Sequence, residues 1–351
     1  MTGARRVRPA RRHRAPAWLV GVFLLVALLA LSTVVPMPYV IMRPGPATNT
    51  LAPGLVTVQG TQTYPTTGAL DFTTVRVVGG PGQQPSLAQT LLAVLRRDEE
   101  VYPQEQFFPE GVTTTQVDDE NAAEMADSQQ VAAYVALHAL GVSTTEIPGV
   151  LSIPAGSEAK GRLKAGDEIL AVAGTPVKDT AAVQRLVRAQ PVGTVRLTVR
   201  RDGTVLQVST PGTTRDGHTS IGIILGRRYQ FPYTVSIDAG QVGGPSAGMM
   251  FSLAVYDRLT PGALTGGRAI AGTGTMSPDG AVGPIGGIRQ KIVGARESGA
   301  DWFLAPSQDC IELGGHVPDG IHVVRVSTFD DARRAVAAIG TGKTSGLAAC
   351  G

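Results

Sequence analysis

Ser246 stands in Gly244-Pro245-Ser246-Ala247-Gly248, a glycine-flanked turn that opens an apolar helix expected over residues 249–259. A serine so placed holds its hydroxyl clear of the backbone, close to helix N–H groups that can stabilise an oxyanion. It is a candidate nucleophile, with N–H groups near Gly244, Ser246 and Ala247 as candidate oxyanion donors. Two chemistries fit. A Ser-His-acid triad on a G-x-S-x-G elbow needs an acid and a histidine further along the chain. Asp301 or Asp319 with His316 or His322 supplies those residue types. A Ser-Lys dyad instead needs one lysine that is uncharged at rest. Its ordinary pKa of about 10.4 must fall, which burial among apolar groups achieves. Lys291 has such surroundings. Ile288 three positions before it, Ile292 beside it and Ala295 four after it put it on the inward stripe of a helix expected over residues 288–298. Arg289 and Arg296 fall on other faces.

The elements around these residues bear on the choice. Strands are expected at 221–225 and 233–237 before the serine turn, and at 269–275, 302–305 and 322–326 after it. Ser277-Pro278-Asp279-Gly280 is a turn, residues 282–287 form a glycine-rich approach to the Lys291 helix, and Thr328 caps a last helix to 339. Residues 149–210 have another rhythm, with short strands, one amphipathic helix over 180–189, and an Arg201-Asp202-Gly203 hairpin turn. A nucleophile elbow belongs after several strands of one parallel sheet, and a small β-rich module occupies that place. Both histidines also crowd around Pro318-Asp319-Gly320, so the triad is the weaker plan. Upstream, 55–59 and 69–78 read as strands and Ser86 caps a helix to about 97. Residues 101–118 read as loop, and 121–140 as a helix whose apolar second half packs between domains.

The net charge of +3 is misleading. Six arginines fall within the first fourteen residues, and without them 25 basic residues face 28 acidic ones. No nucleic-acid surface follows from that balance. Residues 17–35 then run nineteen positions without a charge, with Trp18 and Tyr39 near the ends. This is long enough for a transmembrane helix, and the arginines before it put the N-terminus in the cytoplasm. A cleaved signal peptide is the rival reading, but Val34-Val35-Pro36-Met37-Pro38 is a poor cleavage site. Cys310 and Cys350 are the two cysteines, a candidate disulfide outside the cytoplasm, and no motif supports a metal.

Two resemblances sharpen these readings. Gly156-Ser157-Glu158-Ala159, then Leu163-Lys164-Ala165-Gly166-Asp167-Glu168-Ile169, then Val172-Ala173-Gly174 and the 180–189 helix together resemble a PDZ domain over about 65 residues. This implies an extended peptide, often a C-terminus, added to a sheet edge beside a helix. The groove is expected between strand 149–153 and that helix, with Gly149, Val150 and Leu151 at the peptide. The second set is Gly243 to Gly248, then Thr273-Gly274, then Gly280-x-Val282-x-Pro284-Ile285-Gly286-Gly287-Ile288-x-x-Lys291. Over about 110 residues it resembles the proteolytic domain of the Lon family of serine proteases. That resemblance implies Ser246 as nucleophile, Lys291 as general base and Thr273 beside the ammonium. Gly243 and Thr275 stand where many ATP-dependent members carry acids, which leaves the substrate pocket open. Gly342-Lys343-Thr344 imitates the end of a P-loop, but Ala337 holds the first glycine position, so no nucleotide is expected.

The whole order resembles bacterial membrane-anchored PDZ and Lon-like proteases. The expected fold is α+β: a basic tail (1–16), an anchor (17–36), a strand and helix region that completes the protease domain (37–123), a PDZ-like domain (124–213), a Lon-type domain (214–343) and a tail (344–351). The expected protein is an ATP-independent serine endopeptidase without cofactor. It is a single-pass protein of the bacterial cytoplasmic membrane, its catalytic domain outside, acting on flexible or unfolded protein segments. Related domains form rings, which leaves a homo-oligomer open. A membrane-tethered PDZ adaptor with an inactive Lon-like domain is the alternative.

Overall fold

The computed structural model describes residues 17–109, 111–154, 156–201, 203–314 and 317–350. The basic tail, His316 and Asp202 of the hairpin turn lie outside the described residues. Helix α1 (Ala17–Ser32) has 16 residues. It stops where Ser32 and Thr33 hydroxyls donate back to the Leu29 and Ala30 carbonyls, each at 2.7 Å, and Pro36 follows. At 1.5 Å per residue it is about 24 Å long, against about 30 Å of bilayer hydrocarbon. The expected span to residue 36 is therefore corrected: among the described residues, no helix is long and apolar enough to cross a membrane.

The chain continues through β1 (Tyr39–Asn49), β2 (Val56–Gln59), β3 (Ala69–Val78), α2 (Leu87–Leu95), β4 (Glu100–Pro103), α3 (Gln104–Phe107) and α4 (Thr114–Ala139). Helix α4 starts seven residues before the expected 121. Thr113 and Gln116 form a capping box there, each side chain bonding the other's backbone N–H. Its first turns are polar, which reads as loop by periodicity. The next unit holds β5 (Thr145–Ser152), β6 (Glu168–Val172), β7 (Thr175–Pro176), α5 (Thr180–Arg188), β8 (Gly193–Arg201), β9 (Thr204–Arg215), β10 (His218–Ser220) and β11 (Ile224–Gln230). Its sheet runs β10-β9-β8-β6-β5-β11 around a core that includes Val150, Ile169, Val183 and Leu197. Asp167, fully buried, is held by Arg201 through bonds of 2.6 and 2.7 Å and accepts the Lys164 N–H, so the Lys164–Asp167 turn is pinned to the sheet.

The last stretch holds β12 (Thr234–Ile237), α6 (Gly248–Leu259), β13 (Ala269–Gly272), β14 (Thr275–Met276), β15 (Val282–Gly283), α7 (Ile288–Glu297), β16 (Trp302–Pro306), α8 (Cys310–Leu313), β17 (His322–Val326) and α9 (Phe329–Gly340). One sheet joins it to the N-terminal strands in the order β17-β16-β13-β3-β1-β4. β13 lies parallel to both β3 and β16, so the β5–β11 unit is inserted between halves of one sheet. Alternation along β3 sends Leu70 and Phe72 to one face and Asp71 and Thr73 to the other. On the first face α6 is buried nearly all round: Phe251 meets Phe72 edge-on at 5.4 Å between centroids, with α4 and α9 outside. On the second face Ile288, Ile292 and Ala295 of α7 pack with Phe303 and Ala305. Cys310 and Cys350 form a disulfide, and Val324 of β17 bridges to Ala349 in the tail.

Candidate active site

The serine turn is built by its neighbours. Gly244 has φ +83°, a conformation that glycine adopts without strain. Its N–H donates to the Asn121 carbonyl of α4 at 3.0 Å. That corrects the expectation that the N–H at Gly244 serves an oxyanion, since it is already engaged. The Pro245 carbonyl accepts from the Ser128 hydroxyl at 3.1 Å. The Ser246 carbonyl accepts from Gly274 N–H at 2.8 Å and from the Thr273 hydroxyl at 3.0 Å. A β-carbon at Gly248 would sit 2.9 Å from Ser128 Oγ and 3.1 Å from Met276 Cβ, so α6 starts on a residue without a side chain. Ser246 is half-buried. Among the described residues its hydroxyl has no hydrogen-bond partner, and the N–H groups of Ser246 and Ala247 donate to no protein acceptor. Three groups at a helix N-terminus are thus free to act on a reacting carbonyl.

Lys291 approaches from the other side of Thr273. It lies in the first turn of α7, and only 3% of its surface is exposed. Its Nζ donates to Thr273 Oγ1 at 3.1 Å. Thr273, fully buried, donates its own hydroxyl hydrogen bond to the Ser246 carbonyl. Thr273 therefore fixes the amine and the serine backbone to one atom. Burial pushes the Lys291 pKa down from 10.5 to about 8, and the Asp309 carboxylate opposes the drop. Asp309 is itself buried, which pushes its carboxyl up, while the Ile285 N–H donating to it at 3.1 Å and Lys291 pull it down. Periodicity did not single out Asp309. It follows β16 by three residues, and only the fold brings it to the lysine.

His322 is elsewhere. In the parallel strands Ile270, Trp302 and His322 are level with one another, as are Gly272, Leu304 and Val324. His322 is thus at the N-terminal end of its strand, while Thr273 and the serine turn are at the C-terminal end of β13. Its ring packs on Trp302, 4.7 Å between centroids. The triad plan loses its described histidine. Gly342-Lys343-Thr344 trails the end of α9, with Lys343 N–H donating to Ala338, rather than linking a strand to a helix.

Gly149, Val150 and Leu151 lie in β5, which is paired on both edges. β11 runs along one side, and on the other Gly149 pairs with Glu168 and Val150 bonds Asp167 and Gly166. The expected groove along β5 is corrected at Gly149 and Val150, whose two edges are both occupied. The cavity beside α5, about 250 Å³, is lined instead by Val183, Gln184, Val187 and Arg188 and by residues 218–223 and Leu225. β11 ends the sheet, with one edge unpaired among the described residues.

A half-exposed serine at a helix N-terminus, with a buried amine one hydroxyl away, has the parts of a serine-nucleophile hydrolase. Residues 234–337, which include Ser246, Thr273 and Lys291, match the family described as Lon protease (S16) C-terminal proteolytic domain, and residues 155–201 match PDZ domain. Among curated relatives, Lon protease of Campylobacter concisus is 31% identical over 109 residues, 30% of this chain and 13% of that protein. Lon protease 2 of Bacillus subtilis is 32% identical over 101 residues, 29% of this chain and 17% of that protein. The chain thus spans under a fifth of the length of these relatives. The PDZ domain of an SdrC-like protein from Listeria innocua is 27% identical, covering 22% of this chain and 92% of that one, at a TM-score of 0.21. One mixed α+β chain therefore carries a Lon-type proteolytic-domain match and a PDZ-domain match.

Proposed function

We propose that this chain is a serine endopeptidase that works without ATP through Ser246 and Lys291. The observation that carries this is the buried Lys291 amine, hydrogen-bonded to the threonine that holds the Ser246 carbonyl. In its neutral form Lys291 takes the Ser246 proton as Oγ attacks a peptide carbonyl. The N–H groups of Ser246 and Ala247 hold the oxyanion. Lys291 then protonates the leaving amine, and water, activated by the same amine, releases the acyl group. Substrates are flexible or unfolded segments, since the chain brings no recognisable nucleotide motif to unfold them. Their tails add to the open edge of β11 beside α5. The apolar α1, its described side chains largely exposed, supports a membrane-held protein.

The test is cleavage of casein by the full chain in detergent. The wild type cleaves, whereas Ser246→Ala falls to background. Lys291→Arg also fails, because a guanidinium stays protonated. Equal cleavage by wild type and Ser246→Ala contradicts the proposal. Background cleavage by both, with tail peptides still bound, favours an adaptor.

A further inference from the structure

Helix α2 turns Thr90 and Ala93 inward and leaves four large aliphatic side chains in solvent. Leu91 is 56% exposed, Leu92 57%, Val94 67% and Leu95 81%. Removing such side chains from water is favourable, so leaving four together on nine residues marks a surface that something covers. The fold indicates what. α2 is fastened to the exit of α1: Leu87 N–H donates to the Val35 carbonyl and Met37 N–H to the Pro85 carbonyl, both at 2.9 Å, and Pro36 bridges to Ser86. α1 is apolar throughout, and Val34 beyond it is 70% exposed. The α2 patch is thus continuous with a helix that finds no protein core of its own. Arg97 follows α2 in an exposed position, where a lipid headgroup layer would receive its charge, while Arg96 is already paired with Glu99 at 2.7 Å.

We propose that α2 lies in the plane of a bilayer interface, its Leu91, Leu92, Val94 and Leu95 in the acyl-chain boundary, and seats the catalytic body on the membrane. This rests on the reading of α1 as membrane-held. It also answers the shortness of α1, because the apolar contact with lipid is shared between two joined helices. A second copy of the chain is the competing cover.

The full chain carrying Trp18→Phe and Trp302→Phe is given one reporter tryptophan, Leu92→Trp or, as a control on the far β-rich unit, Val205→Trp. Each is mixed with phosphatidylcholine–phosphatidylglycerol vesicles whose acyl chains are brominated. Flotation reports attachment, and fluorescence quenching reports contact with acyl chains. The reporter at 92 should lose most of its emission, and the one at 205 should lose none. A chain that floats with an unquenched reporter at 92 overturns the seat and leaves the α1 reading standing. A chain that does not float overturns both. Inter-chain disulfide formation by Leu92→Cys in floated vesicles, with the reporter at 92 unquenched, assigns the patch to a second copy.

Discussion

Burial depresses the pKa of Lys291 to about 8, so folding favours the neutral amine more than the unfolded chain does. This group's contribution is fully present above the ordinary lysine value of 10.5 and is lost as pH falls toward 8. The site therefore carries a stability cost at neutral pH, on the order of 3 kcal/mol for the shift. Lys291→Met should be inactive yet at least as stable as the wild type at pH 7, read as an equal or higher melting temperature. A lower one would show that the amine supports the fold. Asp309 acts in the opposite direction on the same amine. Asp309→Asn keeps an acceptor for the Ile285 N–H but removes the charge, so the midpoint of the pH–rate profile should move down. A midpoint that stays or rises would remove Asp309 from the site. Lys291 was legible because Ile288, Ile292 and Ala295 mark one helix face. Asp309 was not, because its proximity comes from β16 and α8 rather than from any spacing along α7. The engaged N–H of Gly244 was equally hidden, its acceptor at Asn121 lying 123 residues earlier.

At the scale of elements, the tail-binding edge separates what pattern reveals from what pairing decides. Helix α5 was plain from its amphipathic residues and the strands from their alternation. The neighbour of β5 was not, because β11 begins 72 residues after Ser152 and pairs across the whole inserted unit. With β5 paired on both sides at Gly149 and Val150, the available edge passes to β11 and the cavity to residues 218–223, Leu225 and α5. Ile223, half-buried at that cavity, gives the test. Ile223→Asp should weaken binding of peptides with apolar C-termini at least about tenfold, 1.4 kcal/mol, by fluorescence anisotropy. Cleavage of short peptides without such tails should be unchanged. Unaltered binding would return the groove to another surface. The early start of α4 was lost for a different reason: its first turns are polar, and only the Thr113–Gln116 box marks the beginning.

For the whole molecule, the sheet order shows why domain boundaries were hard to draw. β1, β3 and β4 precede the PDZ-like unit, yet they share a sheet with β13, β16 and β17. The early strands are readable one by one, but the parallel contact of β3 with β13 is a 200-residue closure that no local signal carries. The 19-residue apolar run was legible as well, while the place where it ceases to be helix depends on hydroxyls that turn back at Ser32 and Thr33. The disulfide makes a second closure, 40 residues long. It fastens the tail beside β17 and the start of α8, next to Asp309. In a chain-entropy account a loop of that length is worth about 4 kcal/mol, so Cys350→Ser should lower the melting temperature markedly. Reductant should do the same to the wild type and nothing more to the variant. An unchanged melting temperature in both would show that the two cysteines do not constrain the fold.

The central claim is that a neutral Lys291 activates Ser246, and the most direct measurement is the rate of Ser246 acylation by an activated ester across pH. Stopped-flow release of nitrophenolate gives the rate, and intact mass locates the acyl group. The wild-type rate should rise with pH through a midpoint near 8, and acylation should disappear in both Lys291→Arg and Ser246→Ala. A rate independent of pH, or one that survives in Lys291→Arg, would contradict the dyad.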